Sequence, residues 1–270
     1  MTLVDFIKLC HMHLVSSSED RELQVAQEYL KSRNLLANSI KSVKIGYASS
    51  TISLPDEVKY FGEEYRKDED GKRWDMSSYI NGKIIVPVYS EFDGLVGLAT
   101  RKPSSEKGNT WWNLPTPFKK GNHLFLLNLA RKSIFEKNKV YVVEGYMDAL
   151  LLWQSGLTNV VSLMGTALTS RKLALLVRYC NNVCLCFDTD ENEAGQRAND
   201  LAIATIKKFD FCEAISTIQL PVKEDPDVYV VKNGLSGFLA LENTLKDTDI
   251  EKICRKVAKQ KHTKEIIYGQ

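Results

Sequence analysis

Apolar positions along the chain change period twice. From Leu3 to about Leu36 the spacing is helical, with Leu23, Ala26, Tyr29 and Leu30 on one stripe. The SSSED run ahead of that stripe offers caps and first-turn acids. Alternating and β-branched runs follow at Val43–Ser49, Lys83–Tyr89 and Leu95–Thr100, with a hairpin turn at EFDG between the last two. The charged stretch Phe61–Asp75 reads as an exposed insertion. From Lys139 onward, strands alternate with helices. VYVVEG, NVVSLMG, NNVCLCFDTD and CEAISTIQLP are the strands, and each of the first three leads into a helical pattern. This βαβαβαβ order predicts a parallel sheet with helices on its faces. The last stretch, 235–270, reads as short helices with a basic end.

The polar residues that break this pattern are acids at strand ends. Glu144 and Gly145 close an apolar strand, and Asp148 follows one helical turn later on the same face. Asp188 and Asp190 end the third strand of the series, and Asp225 and Asp227 follow the fourth. Ligands bind at the carboxyl edge of open parallel sheets. Each acid alone has an ordinary reading: Asp190 as a cap, Asp225 as a turn residue before Pro226, Asp148 as a first-turn helix acid. Six on one edge repel one another unless a cation neutralises them. Mg²⁺ takes such oxygen ligands alongside phosphate, and paired ions can clamp a phosphoryl transfer. In GTALTS (Gly165–Ser170), the glycine permits close approach to a phosphate, and Thr169 or Ser170 can cap the next helix.

Composition narrows the class. At 270 residues the chain suits two modest domains, and its make-up is that of a soluble globular protein. No apolar run reaches membrane-spanning length. The N-terminus carries Asp5 and no basic segment, and the six cysteines show no framework spacing. The expected location is therefore cytoplasmic, with no membrane partner. Net charge is +2, but residues 101–139 hold nine Lys/Arg against two Glu, a local balance of +7. Trp111, Trp112 and Phe118 lie inside that stretch. Charge with aromatic faces suits a single-stranded nucleic-acid groove; the ordinary alternative is a solvated basic face with two core tryptophans.

EGYMD (Glu144–Asp148), GTALT (Gly165–Thr169), DTDENEAGQRA (Asp188–Ala198) and DPD (Asp225–Asp227), in that order, resemble the Toprim domain of bacterial and phage DnaG-type primases. Upstream, Tyr29–Ser49 resembles the start of the primase polymerase core. Lys83–Arg101 and Trp111–Leu127 resemble its basic subdomain. The resemblance implies an α/β fold: a Toprim domain (139–234) with a parallel sheet flanked by helices. A mixed α+β basic subdomain (1–138) would precede it, and a short helical tail (235–270) would follow. It implies Glu144 as the catalytic acid/base, and Asp148, Asp188, Asp190, Asp225 and Asp227 as ligands of Mg²⁺ or Mn²⁺. Those ions would bind the NTP phosphates and activate the primer 3′-hydroxyl. Lys83, Arg101, Asn113, Lys119, Lys120 and Trp111 would contact template or nucleotide, and Gly145, Gly165 and Thr166 would shape the loops.

The sequence departs from that family in three ways. DTDENEAG is two residues longer than the usual DGDxAG. Thr110-Trp111 stands where Lys-Tyr is usual. No Cys/His set has the spacing of the N-terminal zinc module, and Cys10-His11-His13 is a poor substitute. No zinc is expected. A split system, with a separate zinc-finger protein in trans, a chain trimmed to the core, or loss of initiation would each account for that. No GxxxxGK[ST] motor motif is present, so a replicative helicase would be a partner. The expected activity is synthesis of short RNA primers from NTPs on single-stranded DNA. The alternatives are a Toprim-type nuclease and a non-catalytic primase-like binding subunit.

Overall fold

The computed structural model describes residues 1–59, 75–104, 106, 110–114, 118–165, 167–188, 194–221 and 224–268. Its contacts divide the chain into two units, Met1–Lys119 and Lys120–Gln270. The division comes before the change of rhythm at 138/139, because the helix preceding that point packs on the second unit's sheet.

The first unit opens with three helices, α1 (Leu3–Leu14), α2 (Arg21–Ser32) and α3 (Ala37–Val43). Thr2 and Asp5 form a reciprocal cap on α1, and the Asp20 side chain caps α2. The strand expected from Val43 starts later. Lys44 adopts a left-handed conformation (φ 60°) that ends α3, and β1 spans Gly46–Ala48. Two short helices, α4 (Asp56–Lys59) and α5 (Ser77–Ile80), precede the hairpin of β2 (Lys83–Tyr89) and β3 (Leu95–Arg101). The Asp93 turn residue is left-handed (φ 64°), as the EFDG reading requires. With β4 (Trp112–Asn113) these form an antiparallel sheet ordered β1-β2-β3-β4. Phe6, Ile7, Cys10, Ile85 and Leu98 build its core. A side chain at Gly46 would meet Cys10 backbone at 2.7 Å, so the glycine lets α1 lie directly on β1. Most of the charged stretch, residues 61–74, lies outside the described residues. At its ends, Asp75 sits 3.7 Å from Lys59, and the Met76 N–H donates to the Lys59 carbonyl at 2.9 Å.

The second unit begins with a 3₁₀ turn (Lys120–Asn122) and α6 (Leu127–Lys137). It continues β5 (Lys139–Val143), α7 (Tyr146–Gln154), β6 (Val160–Ser162), α8 (Ser170–Leu176), β7 (Asn182–Cys186), α9 (Ala194–Phe209), β8 (Ala214–Ile218) and α10 (Pro226–Leu239). Strands β6-β5-β7-β8 are parallel, as the βαβ rhythm predicts. Val140, Val142, Val183, Leu185 and Ile215 face a core shared with α6, α8 and α9. The chain after Leu235 departs from the expected short helices. Residues Glu242–Thr244 form β9, antiparallel to β8, and a 22-residue helix, α11 (Asp247–Tyr268), packs along α9. Glu242 holds that edge strand in place. Its carboxylate pairs with Lys139 and accepts hydrogen bonds from the Tyr141 and Ser216 hydroxyls.

Candidate active site and basic face

In the second unit the carboxyl edge of the parallel sheet collects the acids. Glu144 directly follows β5. Its carbonyl accepts the Ser162 hydroxyl and the Gly165 N–H, both at 2.9 Å. Gly145 starts α7, and its N–H donates to Asp148 Oδ2 at 2.9 Å. A Cβ on Gly145 would lie 2.5 Å from that oxygen, so only glycine lets Asp148 fold back over the helix start. Asp148 is 7 % exposed, and its Oδ1 accepts the Asp227 N–H at 3.4 Å. That bond joins the start of α10 to the start of α7. Asp225 stands at the N-cap position of α10 without a side-chain cap bond, and Pro226 at the first helical position sets the helix direction. Burial, then the charges of Asp227, Asp188 and Asp225, holds the Asp148 carboxyl well above the usual carboxylate range. Asp188 follows β7. Its carbonyl lies where a Cβ on Gly195 would be, 1.8 Å away, so the start of α9 packs against it through a glycine.

Glu144, Gly145, Asp148, Gly165, Asp188, Asp225 and Asp227 therefore share one edge, as their positions at strand ends predicted. Asp190 and Thr166 lie outside the described residues. Carboxylate oxygens are the donor chemistry that hard divalent cations take. The negative charge crowded around Asp148 fits such an ion. Among the described residues, the acids share the edge without three of them closing into a ligand set. Thr169 proves to be the cap of α8, its hydroxyl accepting the Lys172 N–H at 3.2 Å.

The first unit carries the predicted cations other than Lys120. Lys83 begins β2, and Arg101 ends β3, opposite Ile84. The Lys83 ammonium lies 5.5 Å from the centre of the Tyr79 ring, which stacks on Trp112 at 4.8 Å. The Arg101 guanidinium lies 5.7 Å from the Trp111 ring centre. Asn113 pairs with Ala99 on β4. These side chains are half-buried, and burial followed by the nearby Lys102 charge pushes the Lys83 ammonium down. Lys119 is exposed at the end of this unit. Lys120 opens the second unit's 3₁₀ turn, beside α8. Phe118 is not part of the face: it is buried against Gly97. Tyr79 belongs to the cluster, yet only a fold that brings α5 onto β2 reveals it.

Family comparisons agree with both halves. Residues 11–131 match the DNA primase catalytic core, N-terminal domain, and residues 141–230 match the Toprim-like family. The chain belongs to the DnaG-type primase family. It is 28 % identical over 247 residues to the DNA primase of Aquifex aeolicus, covering 88 % of this chain and 48 % of that one. To the DNA primase of Clostridium acetobutylicum it is 36 % identical over 174 residues, covering 62 % of this chain and 28 % of that one. This primase-family chain thus spans about half or less of the length of these curated relatives. A solved DnaG primase catalytic domain bound to single-stranded DNA superposes with a TM-score of 0.70 at 26 % identity, covering 88 % of this chain and 77 % of that one. Toprim primases as a family are generally metal-dependent.

Proposed function

We propose that this chain is the catalytic core of a DNA primase, making short RNA from NTPs on single-stranded DNA. The observation that carries the reading is the meeting of Asp148 with Asp227 at the edge where Glu144 leaves its strand. Glu144 takes the proton from the attacking 3′-hydroxyl. That oxygen bonds to the α-phosphorus of the incoming NTP, and pyrophosphate leaves. Asp148, Asp188, Asp225 and Asp227, with Asp190, would hold Mg²⁺ or Mn²⁺. When bound, such ions stabilise charge on the attacking and leaving oxygens. Asp148 keeps the starts of α7 and α10 together, so the acids on both helices stay aligned.

Lys83, Arg101 and Lys119 neutralise template phosphates, Lys120 meets nucleotide phosphate, and Trp111 offers a ring to a base while Asn113 donates to it. The single-stranded DNA bound to the related catalytic domain supports template binding by such a core. No zinc enters the reaction core. A zinc-finger module would supply start-site choice, and a replicative helicase would supply the opened template. Among the described residues no helix is long and apolar enough to cross a membrane.

The test is primer synthesis on single-stranded DNA with labelled NTPs and Mg²⁺ or Mn²⁺, beside Glu144→Gln. Short labelled RNA from the unaltered chain alone is the expected result. Extension of a supplied primer without new starts would locate initiation on a partner. Template degradation without RNA would overturn the reading in favour of a nuclease.

A further inference from the structure

Lys172 lies on α8 among Leu173 and Leu176 and is 0 % exposed. Its ammonium donates to the Leu163 carbonyl at 2.6 Å. Burial, and then the charge of Lys120, pushes it down to about 7. His123 also faces it and is pushed down by burial and by the Lys172 charge. A buried amino group is costly next to a methionine of similar volume. Packing alone therefore does not account for it.

What it touches is the turn behind Glu144. Leu163 directly follows β6, and its own N–H donates to the Val143 carbonyl at 2.9 Å. The next two residues, Met164 (φ 60°) and Gly165 (φ 69°), are both left-handed, and for methionine that conformation is strained. The Met164 N–H donates to the Ser162 hydroxyl at 2.9 Å. That hydroxyl and the Gly165 N–H in turn hold the Glu144 carbonyl. The strained turn is thus gripped at Leu163 by Lys172 and at its far end by the Glu144 peptide.

We propose that Lys172 is a positioning residue for Glu144, its amino group holding the Leu163 carbonyl so that the 163–165 turn fixes the Glu144 backbone. This rests on Glu144 being the reacting carboxylate. The lysine meets no substrate, since it is sealed inside the unit.

The test compares the whole chain with Lys172→Met, which keeps volume, and Lys172→Gln, which keeps a donor. Primer extension and amide exchange at Met164 and Gly165 are read together. Lys172→Met is expected to lower kcat about tenfold, the effect of a sub-ångström misplacement. KM for NTP and DNA affinity stay level and the melting temperature does not fall, while exchange at Gly165 rises at least tenfold. Lys172→Gln restores most of both losses. The proposal is overturned if Lys172→Met keeps kcat within twofold, if its loss follows a matching fall in melting temperature, or if Gln does no better than Met. If the unaltered chain extends no primer, the reading of Glu144 fails. In that case, unchanged exchange in Lys172→Met would also overturn the grip on the turn.

Discussion

In the first unit Lys83 and Arg101 are half-buried beside aromatic rings; in the second Asp148 is buried among other carboxylates. Both groups of charges gather at the edge of a sheet, but water reaches them differently. Half-solvated cations on an antiparallel edge can bind a polyanion in small, separable steps, each screened by salt. Buried acids of like charge act as one device, because removing or adding one charge alters the rest. Substitutions in the second unit should therefore be nearly all-or-none, and those in the first unit graded.

The sharpest break in that contrast is Glu144→Gln. It keeps shape and removes the proposed proton acceptor, so nucleotide addition is expected to fall about 10²–10⁴-fold. DNA affinity, which the proposed reading assigns to the first unit, should stay within twofold in a filter-binding or anisotropy titration. Parallel loss of both would show that the two regions do not divide the work.

The next effect tests the acidic edge without turnover. Mn²⁺ at about 100 times its Kd should raise the stability of the folded chain by about 2.7 kcal/mol, read as an upward shift of the melting midpoint. Asp188→Asn should remove most of that shift. The same titration with Arg101→Ala should match the unaltered chain, because the cation responds to the second unit alone.

How much of this contrast the sequence carried depends on distance along the chain. Each acid closely follows its strand or opens the helix after it, so strand ends and helix starts located Glu144, Asp148, Asp188, Asp225 and Asp227 before any fold was known. Glu242 had no such signal. Its partners Lys139, Tyr141 and Ser216 come from strands remote in sequence, and three-residue β9 is too short to show alternation. The same holds for Tyr79, which reaches Trp112 only through the sheet. Lys172 did leave a trace: it occupies the apolar phase of α8 one residue before Leu173, where a lysine breaks the stripe. A trace of that kind marks a buried cation without saying what it holds.

Lys172 also gives the second unit a pH signature. Unfolded, a lysine titrates near 10.5; folded, this one titrates at about 7. Between those values the unfolded chain holds more protons, so this residue makes stability rise with pH. The slope approaches about 1.4 kcal/mol per pH unit within that window. Denaturant unfolding at pH 7, 8 and 9 should show Lys172→Met losing this rise relative to the unaltered chain. The buried thiols Cys10 and Cys180, each pushed up to about 12, oppose it at the alkaline end in both proteins. The difference between the two therefore isolates the lysine. Equal slopes would mean that Lys172 titrates as if solvated.

The smallest effects are the ones that separate charge from stacking in the first unit. Arg101→Ala should weaken binding to an oligodeoxynucleotide and reduce the salt slope of log Kd by about 0.7, one phosphate contact's worth on a single strand. Trp111→Ala should weaken binding by about 1–3 kcal/mol with the salt slope unchanged, because a ring offers a base its face and releases no counterion. The Arg101 guanidinium lies over the Trp111 ring, so the two losses should not add. The double variant should lose less than the sum, and an oligonucleotide abasic at the stacked position should be blind to Trp111→Ala. If Trp111→Ala instead lowers the salt slope as Arg101→Ala does, the ring serves only to hold the guanidinium, and the first unit reads phosphates alone.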